Sequence, residues 1–403
     1  MKKIVEIVNL DHQGRGIGKI DGKVIFISNA YLGEVVEVEV IKDNKKYMEG
    51  KVLKYIKTND NRVNYACPYY HKCGGCNIAH INYKEQLEFK KNMVKDIFKR
   101  FCNIEINPSI CESENKINYR NKVTLHVEEN NLGFYEDKTN KLIKIDSCLL
   151  INEILNKTIK SFKKQLDVKG LKEVILRTNG EETLAKFISN DPLLNMDIVL
   201  KENENDLQQE ASSNLKENAI IFNLGKYKYA VTLDSFFQVN TKQAVNLYDK
   251  VREYIAMDKV DTALDLYCGT GTIAIYISDI CNKVTGIEIN KSAISCANYN
   301  KKLNNIDNVE FIEGDVSDII NNNMTPDLIV VDPPRSGLDN KTISTIKEIK
   351  PKRIIYVSCN PITLVRDINK LNEDYKLNDI ELFDMFPNTY HVECVSVLSR
   401  KAQ

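Results

Sequence analysis

Residues Asp265–Ala274 read DLYCGTGTIA. The run TALDLYC (262–268) has the apolar, short character of a buried strand. It breaks at Gly269-Thr-Gly271, and from Thr272 onward the apolar residues recur with helical spacing. A strand that turns into a helix through glycines lets backbone approach a ligand closely, and the first helical turn leaves N–H donors without intrahelical partners. Gly269-x-Gly271-x-x-Ala274 satisfies the dinucleotide fingerprint G-x-G-x-x-A. Glu288, which ends the next apolar run, suits the two hydroxyls of a ribose. The loop by itself leaves a nicotinamide cofactor and S-adenosylmethionine both open.

Working outward, the rhythm from about residue 232 is regular. KVTGIEI (283–289), NVEFIEGD (308–315), DLIVVDPP (327–334) and RIIYVSC (353–359) are short apolar runs separated by helix-length stretches. Alternation of this kind predicts an α/β domain with a doubly wound, Rossmann-like parallel sheet. The last two runs, LNDIELFDMF (377–386) and HVECVSVLSR (391–400), lack a helix between them and predict an antiparallel hairpin at the sheet edge. Open sheets of this class bind ligands at the carboxyl ends of their strands. Asp315 and Asp332 stand at two such ends, the second beside a stiff Pro333-Pro334 turn. A dehydrogenase needs neither and would want a His or Tyr to handle hydride, so methyl transfer fits better. Cys359 sits at the fifth strand end. Alone it reads as a buried cap of the core, the ordinary fate of Cys.

The upstream chain has a different texture. Residues 1–58 carry four β-branched, alternating runs, KIVEIVNL, KVIFIS, EVVEVEVI and GKVLKYI, and an Asp21-Gly22 hairpin signal. These predict a small barrel of the oligonucleotide-binding type. Arg15, in the Gly-flanked loop QGRGIGK (13–19), and the strand-borne lysines are its candidate phosphate contacts. Residues 59–231 form a central α+β region. It contains a predicted helix over 83–101, with Leu87, Met93 or Val94, Ile97 and Phe98 on its apolar face and lysines opposite. Segment 82–113 is a candidate to pack on the catalytic domain, 232–403. The polar stretch 201–218 reads as a mobile surface excursion.

The sequence CPYYHKCGGC places Cys67, Cys73 and Cys76 together, with Cys148 in KIDSCLL a candidate fourth ligand. Cys73-Gly-Gly-Cys76 is a knuckle spacing that zinc and iron–sulfur sites both use. The chain has 403 residues, 11 cysteines and a formal net charge of zero. No apolar run reaches the ~18 residues of a membrane span, and the N-terminus fails as a signal peptide. The setting is expected to be the reducing cytoplasm, where clustered cysteines point to metal or catalysis rather than disulfides. Zero net charge makes any grip on a polyanion local. Cys102, Cys111, Cys268, Cys281, Cys296 and Cys394 read as core cysteines.

Taken together, SFFQVNTKQAVNLYDKV (235–251), DLYCGTGTIA, GIEIN (286–290), VDPPRSGLD (331–339), YVSCNPITLVRD (356–367) and HVECVSVLSR closely resemble the RNA (uracil-5-)-methyltransferase family. The resemblance is dense over 234–400 and extends to the N-terminus through a TRAM-like barrel and the cysteine cluster. It implies methyl transfer from S-adenosylmethionine to C5 of a flipped uridine. Cys359 would be the nucleophile and Glu393 the base, with Gln238, Tyr267, Gly269, Gly271, Thr272, Glu288, Asp315 and Asp332 around the cofactor. It also implies a [4Fe–4S] cluster on Cys67, Cys73, Cys76 and Cys148. The family's rRNA-specific members carry that spacing, while tRNA-specific relatives generally lack cluster and barrel, so the expected partner is 23S rRNA, bound by a monomer. A tRNA enzyme, or a non-catalytic RNA-binding assembly factor on the same fold, are the alternatives. A pure binder has no use for the Cys359–Glu393 pair.

Overall fold

The computed structural model describes residues 2–137, 139–165, 168, 170–191, 195–201, 209–210, 218–321 and 324–402. They fall into two compact units. One comprises Met1–Asp96, Phe134–Ile143 and Phe386–His391; the other comprises Ile97–Gly133, Lys144–Met385 and Val392–Gln403. The polar stretch 201–218 lies largely outside the described residues. Among those described, no helix is long and apolar enough to cross a membrane.

The first unit opens with β1 (Lys2–Glu6), β2 (Asn9–Leu10), β3 (Gly16–Ile20), β4 (Lys23–Ser28), β5 (Val35–Asp43) and β6 (Tyr47–Lys57), in the order β1-β5-β6-β4-β3-β2. Alternation works as expected: Val36 and Val38 point inward with Val5, Ile25 and Ile27. The run KIVEIVNL is two strands, not one. At Ile7 and Val8 the chain changes partners, donating to Glu34 O and then to Ile17 O. Asp21 and Gly22 both take positive φ, 50° and 82°, as a type I′ turn requires, and close the β3–β4 hairpin. Three of the strand lysines stand opposite acidic residues in the ladder. Glu37 faces Lys54, Glu39 faces Lys51 and Lys42 faces Glu49 across β5 and β6. Arg15 is likewise engaged, donating to Asp11 at 2.7 Å with its guanidinium 4.6 Å above the Phe26 ring.

Helix α1 (Tyr83–Cys102) forms where the periodicity placed it and buries Leu87, Val94, Ile97 and Phe98. Its lysine face is not wholly solvated: Lys90 is fully buried, with Nζ 3.1 Å from Phe386 O.

The second unit holds β7 (Ser109–Cys111), β8 (Lys122–Glu128), α2 (Glu153–Gln165), β11 (Leu171–Thr178), β12 (Glu182–Ser189), β13 (Met196–Lys201) and β14 (Gln209–Glu210), while β9 (Asn131–Tyr135) and β10 (Leu142–Lys144) each have residues in both units. Antiparallel pairing of β8, β11, β12 and β13 makes a sheet of its own. A two-stranded hairpin, β15 (Ile220–Leu224) and β16 (Tyr227–Val231), leads to α3 (Thr241–Ile255).

The doubly wound part follows: β17 (Val260–Leu266), α4 (Thr272–Tyr276), β18 (Cys281–Glu288), α5 (Lys291–Leu303), β19 (Val309–Glu313), α6 (Val316–Ile319), β20 (Leu328–Val331), α7 (Asn340–Ile349), β21 (Arg353–Ser358), α8 (Pro361–Leu371), β22 (Tyr375–Phe383) and β23 (Glu393–Arg400). Strand order is β19-β18-β17-β20-β21-β23-β22-β7. The first five are parallel and β23 is antiparallel to both neighbours. The expected C-terminal hairpin exists but is not the edge. Strand β23 inserts between β21 and β22, and β7, from far upstream, pairs parallel to β22 outside it. An all-parallel dinucleotide fold has no such insertion.

Candidate active site

Strand order reverses between β17 and β20, so the crevice lies over their carboxyl ends. Asp265 is fully buried in β17. Its Oδ2 accepts the Ala274 N–H at 2.9 Å, while Oδ1 is buried with no partner among the described residues. Burial pushes this carboxyl up to about 8, with Asp332 and Glu288 adding repulsion. Tyr267 takes φ 66°, strained for a non-glycine residue, followed by Gly269 at 53° and Gly271 at 78°. A Cβ on Gly271 would lie 2.5 Å from the Phe311 ring, so only glycine lets the chain pass there. Glu288 is fixed by backbone: Gly269 N–H donates to Oε2 at 3.2 Å and Asn290 N–H to Oε1 at 2.8 Å. An unpartnered buried carboxylate oxygen, a glycine cradle and an oriented acidic side chain fit a cationic adenosyl cofactor.

The remaining predicted cofactor residues are dispersed around this loop. Tyr267 Oη lies 3.5 Å from Thr342 Oγ1, and Thr272 Oγ1 is 3.3 Å from Thr270 Oγ1. Asp315 caps α6 by accepting the Ser317 N–H at 2.8 Å. Gln238 is buried in the irregular segment before α3, its carbonyl accepting from Asn121 Nδ2 at 2.9 Å.

Cys359 follows the last residue of β21 and Glu393 is the first of β23. Ser358 pairs with Cys394 in antiparallel register, so one step further along the ladder sets Cys359 opposite Glu393. The turn holding Cys359 is stapled. Asn360 caps α8 by accepting the Ile362 N–H, and its Nδ2 and Thr363 Oγ1 both donate to Arg335 O. Burial, joined by repulsion from Glu393 and Asp332 and opposed by Arg335, pushes the Cys359 thiol up to about 11. Glu393 is only 4% exposed, and burial with Asp332 holds its carboxyl well above the usual range, again against Arg335. Asp332, half-buried, is pushed up to about 7 by burial. The Cys359 thiol, the Glu393 carboxyl and Asp332 therefore share one electrostatic field. Such a site can hold a soft nucleophile and a proton acceptor side by side, out of water. Arg335, acting on both, is the functional residue the sequence reading missed; its signal was its place directly after the Pro333-Pro334 turn.

The cysteines divide. Cys67, Cys73 and Cys76 are half-buried in the first unit, and the Gly75 N–H donates to Cys73 Sγ at 3.4 Å, a knuckle-type contact. Cys148 belongs to the second unit, with its N–H and carbonyl both bonded to the Asn156 amide. Among the described residues, no three His, Cys, Asp or Glu side chains are grouped closely enough to hold a metal ion. The donor chemistry of the cysteines suits a soft metal. Of the cysteines read as core, Cys268, Cys281, Cys296 and Cys394 are buried while Cys102 and Cys111 are only half so.

Comparison with known proteins agrees with this chemistry. The family model described as tRNA (uracil-5-)-methyltransferase matches residues 179–325 and 315–401, and the TRAM domain model matches 4–53. An uncharacterized RNA methyltransferase of Clostridium tetani is 36% identical, covering 98% of this chain and 95% of that protein. One from Clostridium acetobutylicum is 34% identical over 98% and 96%. The crystal structure of Pyrococcus abyssi tRNA (uracil-54, C5)-methyltransferase in complex with S-adenosyl-L-homocysteine matches with TM-score 0.78 and 29% identity, covering 98% of this chain and 99% of that one. That coverage takes in the N-terminal barrel, so a barrel does not by itself separate rRNA enzymes from tRNA enzymes. With the glycine cradle, the β23 insertion and these full-length relatives in agreement, the chain belongs to the RNA (uracil-5-)-methyltransferase family, as an S-adenosylmethionine-dependent enzyme with an N-terminal TRAM domain.

Proposed function

We propose that the enzyme methylates C5 of a specific uridine in 23S rRNA through a covalent bond between Cys359 and C6, with Glu393 removing the C5 proton. The observation that carries the reading is the register of β21 and β23, which sets the thiol opposite a buried carboxyl. C5 of uracil is a weak nucleophile. When the Cys359 thiolate adds through Sγ to C6, the C5=C6 electron pair moves toward C4=O4 and C5 gains enolate character. Bound S-adenosylmethionine would supply the electrophilic methyl group, its sulfur keeping the S–C electron pair and leaving as the neutral thioether as C5 takes the methyl carbon. Glu393 takes the C5 proton, the C5=C6 bond re-forms, and the C6–S pair returns to Cys359 as thiolate. A carboxyl raised by burial suits this general-base step near neutrality, and a thiolate both adds and leaves readily. Arg335 favours the anionic form of either partner. The target base must leave its stack to expose both faces of C5–C6. Gln238, Glu288, Asp315 and Asp332 would hold the cofactor, with Tyr267, Gly269, Gly271 and Thr272 shaping its cradle.

The choice of 23S rRNA rests on the cysteine spacing. A second reading, a tRNA uracil-C5 methyltransferase, is favoured by the full-length likeness to the Pyrococcus abyssi enzyme. Mapping 5-methyluridine in rRNA and tRNA of a strain lacking the gene separates them: loss from 23S rRNA supports the first, loss from tRNA alone the second, and no loss rejects both. The cysteines enter no step. A [4Fe–4S] group on Cys67, Cys73, Cys76 and Cys148 is tested by iron and sulfide content after anaerobic purification; stoichiometric zinc without iron rejects it. The enzyme is expected to act as a cytoplasmic monomer.

A further inference from the structure

Arg177, in β11, is among the largest fully buried side chains, 1% exposed, and Lys122 is its direct partner on β8. A fully buried cation and a half-buried one thus face each other across the strand pair. Burying a cation is costly unless its donors are satisfied. The carboxylate that bears on both, Asp234, is largely exposed and held by Lys186 at 2.8 Å. The buried donors go elsewhere. Arg177 Nη1 donates to Thr232 O at 2.7 Å and to Ser235 O at 3.0 Å, and Lys122 Nζ donates to Leu233 O at 2.6 Å. Asn121, the neighbour of Lys122, adds its Nδ2 to Gln238 O at 2.9 Å and its N–H to Val239 O.

Five carbonyls between Thr232 and Val239 are therefore anchored from one edge of the β8–β11 pair. The segment has no helix or strand of its own to fix its backbone. It nevertheless carries Gln238, buried, and Phe236, 70% exposed. A segment that only joined β16 to α3 would need no such anchoring. Apolar residues at 122 and 177 would build the same sheet at lower cost.

We propose that Lys122 and Arg177 are positioning residues, which fix the backbone of 232–239 so that Gln238 meets the cofactor and thereby set cofactor affinity. This rests on Gln238 being a cofactor contact. Burial pushes Lys122 down to about 8, with Arg177 adding repulsion, and burial alone pushes Arg177 down to about 10 against Asp234.

The test uses the full chain with Lys122→Met, Arg177→Lys, Gln238→Leu and the double variant Lys122→Met/Gln238→Leu. Calorimetry gives the S-adenosylmethionine dissociation constant, thermal melts monitor folding, and single-turnover adduct formation is followed at saturating cofactor. Each single variant is expected to weaken cofactor binding by about tenfold, the worth of a charged hydrogen bond or its consequence. In Lys122→Met and Arg177→Lys the saturated chemical step should hold within about twofold, since only binding geometry is altered. The double variant should bind no more weakly than Gln238→Leu alone, because the lysine acts through the glutamine. Arg177→Lys keeps the charge and carries the same test where Lys122→Met does not fold. Normal cofactor affinity in Lys122→Met and Arg177→Lys beside a weakened Gln238→Leu overturns the proposal, as do fully additive losses. Normal affinity in Gln238→Leu instead removes Gln238 from the cofactor site, and the proposal with it.

Discussion

Replacing Arg335 by methionine removes a cation that acts on both Cys359 and Glu393. With the thiol pushed up to about 11, the reactive thiolate is a small fraction of the enzyme near neutral pH. That fraction grows about tenfold per pH unit below the pKa. An opposite charge in hydrogen-bonding reach lowers an acid's pKa by roughly 1–3 units; Arg335 is exposed and screened by solvent, so the lower end applies, about one unit. The sign follows directly. Losing Arg335 raises the thiol's pKa, so adduct formation should slow about tenfold at every pH below 11, and the two log-rate profiles should run parallel with a slope of about one. Arg335→Lys, keeping charge without the planar fork, should recover part of the loss. The assay is single-turnover trapping on a stem-loop carrying 5-fluorouridine, with RNA and cofactor saturating, between about pH 6.5 and 9.5, below the thiol's range. Fluorine cannot leave as a proton, so the adduct persists. Arg335→Met rates equal to those of the unaltered enzyme, or a profile flat in pH, would refute the account of thiolate supply.

Cys359→Ala should abolish trapping while RNA affinity holds within about threefold, since the sulfur contributes little to phosphate contacts; a surviving adduct would assign the nucleophile elsewhere. Glu393→Gln should still add and methylate but release product slowly, so a labelled protein–RNA species accumulates in gels; normal turnover would exclude it as the base. Asp265 and Asp332, raised to about 8 and about 7, hold protons in the folded protein. Their contribution to stability is therefore present below the ordinary carboxylate range and lost as pH rises through about 7 to 8. A cationic cofactor should lower both values and release protons on binding at pH near 7, which calorimetry in buffers of different ionisation heat would detect; buffer-independent heats count against it. Gly271→Ala, facing φ 78° and the Phe311 ring, should cost about 1–3 kcal/mol in thermal denaturation and weaken cofactor binding.

The parallel core was legible because strands buried on both faces read as continuous apolar runs, and LIVV in β20 is buried at every position. The cofactor loop was legible for a local reason: positive φ favours glycine where backbone must fold tightly, as at Gly269 and Gly271. What escaped was long-range. Three residues, Ser109–Cys111, are too few to show any period, yet as β7 they extend the catalytic sheet. Lys90 looked like one lysine of a solvated face until the Phe386 carbonyl came within reach of it. Lys122 and Arg177 lie 55 positions apart and meet only through strand register. Arg15 was the opposite case. Its partner Asp11 is four residues away in the same loop, and the pairing was readable before any phosphate contact was assigned.

The same register logic explains why the candidate base had to come from an antiparallel strand. In a parallel sheet every strand end lies beside another strand end, so the groups offered to a ligand all come from loops that leave the sheet. Cys359 has just left β21 at such an end. An antiparallel neighbour presents its beginning there instead, and the first residue of β23 is still held by the ladder, with Phe383 of β22 paired to Glu393 on its other side. Glu393 is thereby held in the ladder with β22, while Cys359 sits in a turn stapled to the Arg335 loop. A base held by the sheet and a nucleophile held by a loop divide the labour sensibly. In the proposed mechanism the thiol moves toward C6 and withdraws again, whereas the carboxyl waits in one place for a proton that departs only after methyl transfer.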